Sequence, residues 1–138
     1  MRYLGLDLGS RTLGVSLSDK TGLIASSLKI IHHNEEYDRL LKEVEELVKE
    51  YEIDAVVLGL PKNMNGTIGE KGELSQIFKE NLEKILSIPV YLQDERLSTK
   101  EATNTLIQGN MSRKKRKEVI DAVAATIILQ SYLDRREK

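Results

Sequence analysis

The chain has 138 residues, 40% hydrophobic and 31% charged, which is enough to bury one core without disulfides or metal staples and too few for two separate folded domains. It contains no cysteine, so a disulfide scaffold, a thiolate zinc site and a cysteine nucleophile are excluded, leaving carboxylate, hydroxyl, imidazole and backbone chemistry. The formal net charge of -1 argues against a grip on nucleic acid by bulk electrostatics, but it hides an asymmetry: residues 1–95 carry 11 Lys/Arg against 17 Asp/Glu, and residues 96–138 carry 10 against 5.

The segment from Arg2 to Gly9 alternates loosely, turns at Gly9-Ser10-Arg11 and resumes a period of two from Thr12 to Asp19. A second turn at Asp19-Lys20-Thr21-Gly22 leads into Leu23 to Ile31, so the first 31 residues predict three consecutive antiparallel strands and no helix. Asn34 is the expected N-cap of a helix whose apolar positions are Tyr37, Leu40, Leu41, Val44, Leu47, Val48 and Tyr51. His32 and His33, between the third strand and this helix, are expected at the surface.

Ile53 to Leu60 is a nearly continuous apolar run stopped by Pro61, as in a parallel strand buried on both faces. The loop 61–69 follows it, and a second helix is marked by Leu74, Ile77, Phe78, Leu82, Ile85 and Leu86. Ile88 to Gln93 reads as another buried strand. Ser98-Thr99-Lys100-Glu101 matches a capping box for a helix ending near Gly109, and Ser112 can cap a last, largely buried helix through Val119, Ile120, Val123, Ile127 and Ile128. The order is strand, strand, strand, helix, strand, helix, strand, helix, helix.

Three acidic positions fall in apolar surroundings. Asp7 stands in a central strand between Leu6 and Leu8, Asp94-Glu95 ends the last strand, and Asp121 follows Ile120 in the last helix. An ionised carboxylate there costs several kcal/mol without compensation. Each has an ordinary reading as a cap or an ion-pair partner; together they point to a cation site. Asp7 and Asp94-Glu95 are expected as neighbours at the carboxyl ends of adjacent strands, with Asp121 approaching from a helix packed across them. Clustered carboxylates are hard-oxygen ligands for Mg2+ or Mn2+, and paired cations of this kind support in-line phosphoryl displacement. Asp7-Leu8-Gly9 followed by Gly14 also fits phosphate binding in actin-like ATPases, but those need two copies of such a unit and this length supplies one.

The basic excess includes Arg113-Lys114-Lys115-Arg116-Lys117, either a solvated helix end or a track for a polyanion in which Arg113, Lys114 and Lys117 contact phosphates. Lys62 and Asn65, in a loop expected to be mobile, are candidate substrate contacts, as is Arg11. Arg96, directly after two acids, is suited to orienting them or binding a phosphate bidentately. No apolar stretch approaches the roughly 18 to 20 residues of a membrane span, and the start does not read as a secretory signal, so a cytoplasmic protein with no membrane partner is expected.

Four motifs in order resemble the YqgF family of pre-16S ribosomal RNA nucleases and Holliday junction resolvase-like proteins. They are Leu4-Gly5-Leu6-Asp7-Leu8-Gly9-Ser10-Arg11 with Gly14-Val15, Val57-Leu58-Gly59-Leu60-Pro61 with Asn65-Gly66, the run Asp94-Glu95-Arg96-Leu97-Ser98-Thr99-Lys100-Glu101-Ala102, and Lys117 followed by Asp121-Ala122-Val123-Ala124-Ala125. The resemblance spans nearly the whole chain. It implies an α/β, ribonuclease H-like fold with a five-stranded mixed sheet, the first three strands antiparallel, flanked by helices. It also implies metal-dependent phosphodiester cleavage that trims the 5′ end of the small-subunit ribosomal RNA precursor, with catalytic and metal-binding acids at Asp7, Glu95 and Asp121. Asp94 stays open in place of Glu95. A junction resolvase acting as a dimer on four-way DNA, or a nucleic-acid-binding module without catalysis, are the competing functions; monomer and homodimer are both compatible with the sequence.

Overall fold

A computed structural model of the chain describes residues 1–62, 65–94 and 113–136, with the backbone alone for 113–121. The elements are β1 (Tyr3–Leu8), β2 (Thr12–Ser18), β3 (Ala25–His32), α1 (Tyr37–Glu50), β4 (Ala55–Leu60), α2 (Glu70–Ile85), β5 (Val90–Asp94) and α3 (Arg113–Arg136). The capping box at 98–101, its helix and the Ser112 cap lie outside the described residues.

The sheet has the order β3-β2-β1-β4-β5, antiparallel across β3-β2-β1 and parallel across β1-β4-β5. This is the ribonuclease H-like arrangement, and it corrects one expectation: β1 and β5 are not adjacent, because β4 lies between them. Strand alternation divides the sheet into two faces. Leu4, Leu6, Leu13, Val15, Val56, Leu58 and Val90 pack with Leu40, Val44 and Leu47 of α1 and Phe78 and Leu82 of α2. Tyr3, Ala55 and Val57, on the other face, pack with Ile128, Leu129 and Leu133 of α3.

Three local details differ from the sequence reading. Helix α1 starts at Tyr37 with Glu36 at its N-cap and no side-chain cap bond; Asn34 Oδ1 instead accepts a hydrogen bond from the Arg11 guanidinium at 2.7 Å. In α2, Gly72 and Ser75 face inward, while Ile77 and Ile85 are exposed. Gly72 is used because a Cβ there would lie 2.7 Å from the Pro61 carbonyl oxygen and 2.6 Å from Ile68. The last strand is an edge and not a doubly buried strand, with Tyr91 41% exposed.

Candidate functional site

Helix α3 is seated on the sheet by a close approach at Gly5. A Cβ at this position would meet Leu129 Cβ at 2.7 Å and the Ala125 carbonyl oxygen at 3.2 Å, so only glycine lets the helix backbone come this near. Across the β1–β2 ladder Gly5 pairs with Ser16, whose hydroxyl donates to the Ala125 carbonyl at 2.8 Å in the buried layer. At the helix's far end Tyr132 lies 5.8 Å from the Tyr3 ring, and the Arg136 guanidinium stands 5.1 Å over Tyr3. The helix therefore runs antiparallel to β1.

That direction places two of the predicted acids at the same height. Asp7 lies two residues beyond Gly5 on the same face of β1, a rise of about 6.6 Å. Position 121 lies four residues before Ala125 on the same stripe of α3, a rise of about 6 Å in the same direction. Asp7 itself is half-buried. Its partner on β2 is Gly14. On β4 the register that pairs Leu6 with Leu58 brings Asp7 level with Gly59, so it has a Cβ-free column on each side. A carboxylate between two glycine positions, level with another acid on the helix packed across the sheet, is the donor type that suits a hard divalent cation. Among the described residues no three His, Asp or Glu side chains gather; Glu95 and Arg96 lie outside them, as does the side chain of Asp121.

Asp94 and Asp7 do not share a face. Val90 and Leu92 pack toward α1 and α2, while Tyr91 stacks on Tyr132 of α3 at 5.5 Å, so Gln93 belongs to the α3 face and Asp94 to the opposite one. There the Asp94 carboxylate stands 3.7 Å from Lys62 Nζ. The burial expected of Ile88 to Gln93 on both faces does not hold for this edge strand, where Tyr91 is exposed.

The other predicted contacts are dispersed. Lys62 and Pro61 line a concavity of about 210 Å³ with Gly69, Glu70, Lys71 and Gly72, beside a cleft of about 470 Å³ that runs to Leu8, Gly9 and Ser10. Asn65 Oδ1 accepts from the Thr67 backbone N–H at 3.0 Å and from its hydroxyl at 2.6 Å, so its side chain fixes its own turn. Arg11 is exposed on the β1–β2 turn, bound to Asn34. Arg113, Lys114 and Lys117 occupy the first turns of α3.

His33 is a correction. It is 5% exposed, Glu35 donates its backbone N–H to Nδ1 at 3.0 Å, and Nε2 lies 3.0 Å from the Gly9 carbonyl oxygen. With Nδ1 accepting, Nε2 is the N–H that donates to Gly9, so the imidazole ties the turn after Asp7 to the approach of α1. Sequence reasoning missed this tie, along with Gln93 and the flanking of Asp7 by Gly14 and Gly59. The available signal was a polar glutamine ending an apolar strand.

A model of the RuvX family, described as Holliday junction resolvase, matches residues 1–135. The chain belongs to the RuvX family. It is similar to a protein of Bacillus cereus (strain AH187) named "Putative pre-16S rRNA nuclease", 53% identical over 99% of this chain and 100% of the relative. A relative of the same name from Geobacillus sp. (strain WCH70) is also 53% identical, with the same coverage. Among solved structures, the fold resembles Thermus thermophilus RuvC in complex with a Holliday junction substrate, with TM-score 0.62 and 16% identity over 99% of this chain and 96% of that one. It equally resembles the fowlpox virus resolvase in its junction DNA complex, with TM-score 0.62 and 16% identity over all of both chains. RuvX membership, YqgF in the sequence reading, thus accords with the ribonuclease H-like sheet.

Proposed function

We propose that this chain is a divalent-metal-dependent nuclease, a hydrolase of phosphodiester bonds that acts in the cytoplasm on the 5′ end of the small-subunit ribosomal RNA precursor, its 138 residues working as one domain. The observation that carries the reading is the equal height of Asp7 and helix position 121, with Asp7 flanked in register by Gly14 and Gly59. Asp7, Glu95 and Asp121 are the acids that hold Mg2+ or Mn2+. Glu95 is preferred to Asp94 because Asp94 belongs to the opposite face, beside Lys62. Cations held there supply charge neutralisation for the attacking and leaving oxygens of an in-line displacement.

The rest of the work falls to binding groups. Arg113 and Lys114 stand in the first turn of α3, where the helix dipole disfavours cations and no acid offsets them, and Lys117 follows in the second turn. A basic run held against that penalty suits a polyanion's phosphates. Arg11, Lys62, Asn65 and Arg96 extend the contact surface. Support for the substrate comes from the name of the 53% identical relatives. A second reading, cleavage of four-way DNA junctions, is favoured by the description of the matching family.

The test is to incubate the purified chain with precursor ribosomal RNA, a linear duplex and a four-way junction, each with Mg2+, Mn2+ or chelator. The proposal expects metal-dependent cleavage of the precursor. Cleavage of the junction alone would establish the second reading, and no cleavage of any substrate would contradict both.

A further inference from the structure

The positions that cross the sheet at the height of Asp7 read Gly14, Asp7, Gly59 and Gln93 from β2 to β5. All four belong to the α3 face. Because Gly59 has no side chain, the next side chain from Asp7 toward the β5 edge is Gln93, two strand spacings away, or about 9.6 Å between Cα atoms. Gln93 is 6% exposed, and its Oε1 has no hydrogen-bond partner among the described residues. A buried acceptor without a donor is a penalty that folded chains seldom carry. An apolar side chain would fill the same space without it, so the amide oxygen calls for a donor that the described residues do not supply.

The surroundings narrow that donor. An oxygen this deeply buried is out of reach of a base or a ribose; a single water held by a small ion is the donor whose entry displaces its neighbours least. The carboxylate of Asp7 in the same row is a ligand for such an ion, and the waters around a cation turn their hydrogens outward as donors.

We propose that Gln93 is a positioning residue for the cation centre: its Oε1 accepts a hydrogen bond from a water carried by the cation that Asp7 binds, across the Gly59 position, which has no side chain. This rests on the acidic-centre reading above. The amide oxygen fixes the orientation of the hydrated ion without adding charge, and it does so from the β5 edge, opposite the Gly14 side.

The test measures Mn2+ binding to the full chain by titration calorimetry, together with thermal melts in the absence of metal, for the wild type, Gln93→Met, Gln93→Glu and Asp7→Asn. Gln93→Met is expected to keep or raise the metal-free melting temperature, since it removes the unsatisfied atom, while weakening Mn2+ binding about tenfold, the low end of losses seen when a group behind a metal's ligands is removed. Gln93→Glu is expected to tighten Mn2+ binding. Asp7→Asn is expected to lose most of it. If Gln93→Met binds Mn2+ like the wild type while Asp7→Asn does not, the role of Gln93 is overturned and the acidic centre stands. If neither substitution changes binding, or the wild type binds no Mn2+, both fall together. Should Gln93→Met fail to fold, Gln93→Glu decides alone, and unchanged affinity in that variant overturns the proposal.

Discussion

Gly5→Ala probes how the α3 helix is held against the sheet. The new Cβ would sit 2.7 Å from Leu129 Cβ and 2.2 Å from Ser16 Oγ. Ordinary carbon contacts lie at about 3.5 to 4.0 Å, so the helix must retreat by about 1 Å. Overpacking of this kind costs about 1 to 3 kcal/mol, and displacing Ser16 also breaks its 2.8 Å bond to Ala125, for about 1 kcal/mol more. The expected loss is about 2 to 4 kcal/mol, or a fall in melting temperature on the order of 10 °C for a chain of this size. Because position 121 lies one turn from Ala125, the same retreat moves the Asp121 backbone away from Asp7, and a misplacement of about 1 Å costs on the order of 100-fold in rate. Calorimetric melts and cleavage assays below the transition measure the two effects. Ser16→Ala supplies the control: Gly5→Ala should destabilise less in that background than in the wild type, because the hydroxyl oxygen that the new Cβ runs into is gone and its bond to Ala125 is no longer there to break. An unchanged melting temperature for Gly5→Ala would refute the close-approach argument, as would additive losses in the double variant.

Other consequences concern turns, caps and charge. Glu52 holds a left-handed backbone with φ of 53° in the turn that closes α1, where Ile53 N–H bonds to the Val48 carbonyl at 3.0 Å and Glu52 N–H to the Lys49 carbonyl at 3.4 Å. Glu52→Gly should therefore raise stability by about 0.5 to 1 kcal/mol in denaturant titration, the relief of strain exceeding the entropy cost of glycine. The Thr21 hydroxyl and the N–H groups of Ile24 and Leu23 hold the Asp19 carboxyl well below the usual range. Its contribution is thus fully present above the ordinary carboxylate pKa of about 3.9 and is lost as pH falls through the lower folded value; Asp19→Asn should flatten that part of the acid limb in pH-dependent melts. Changing Lys114 and Lys117 to Gln should reduce the slope of log affinity against log salt by about one to two units for every nucleic acid tested, with little loss of stability. An unchanged slope would return the basic run to a solvated helix end.

The sheet was legible because its elements carry strong patterns. Val56, Val57 and Leu58 could be buried only in a central strand, and the turns at Gly9-Ser10-Arg11 and Asp19-Gly22 forced the antiparallel start. Strand order was less accessible. Nothing local in Ile88 to Gln93 distinguishes an edge strand from an inner one, so β4 between β1 and β5 emerges only from the pairing. The Asn34 cap failed because a tertiary partner, Arg11, competes for the same side-chain oxygen. His33 was misplaced for a similar reason: both of its hydrogen bonds run to backbone groups, and the one to Gly9 spans 24 residues. At the candidate site the acidic residue Asp7 stood out as a charge in an apolar strand, but its glycine neighbours did not. Gly14 and Gly59 come to flank Asp7 only through register.

The role of Asp7 as a metal-holding acid is tested most directly by cleavage of precursor ribosomal RNA by Asp7→Asn under saturating Mg2+ and, separately, saturating Mn2+. Relief of repulsion among clustered carboxylates should leave the variant folded and at least as heat-stable as the wild type, while cleavage is abolished with both metals. Turnover equal to the wild type with either metal would contradict the central claim.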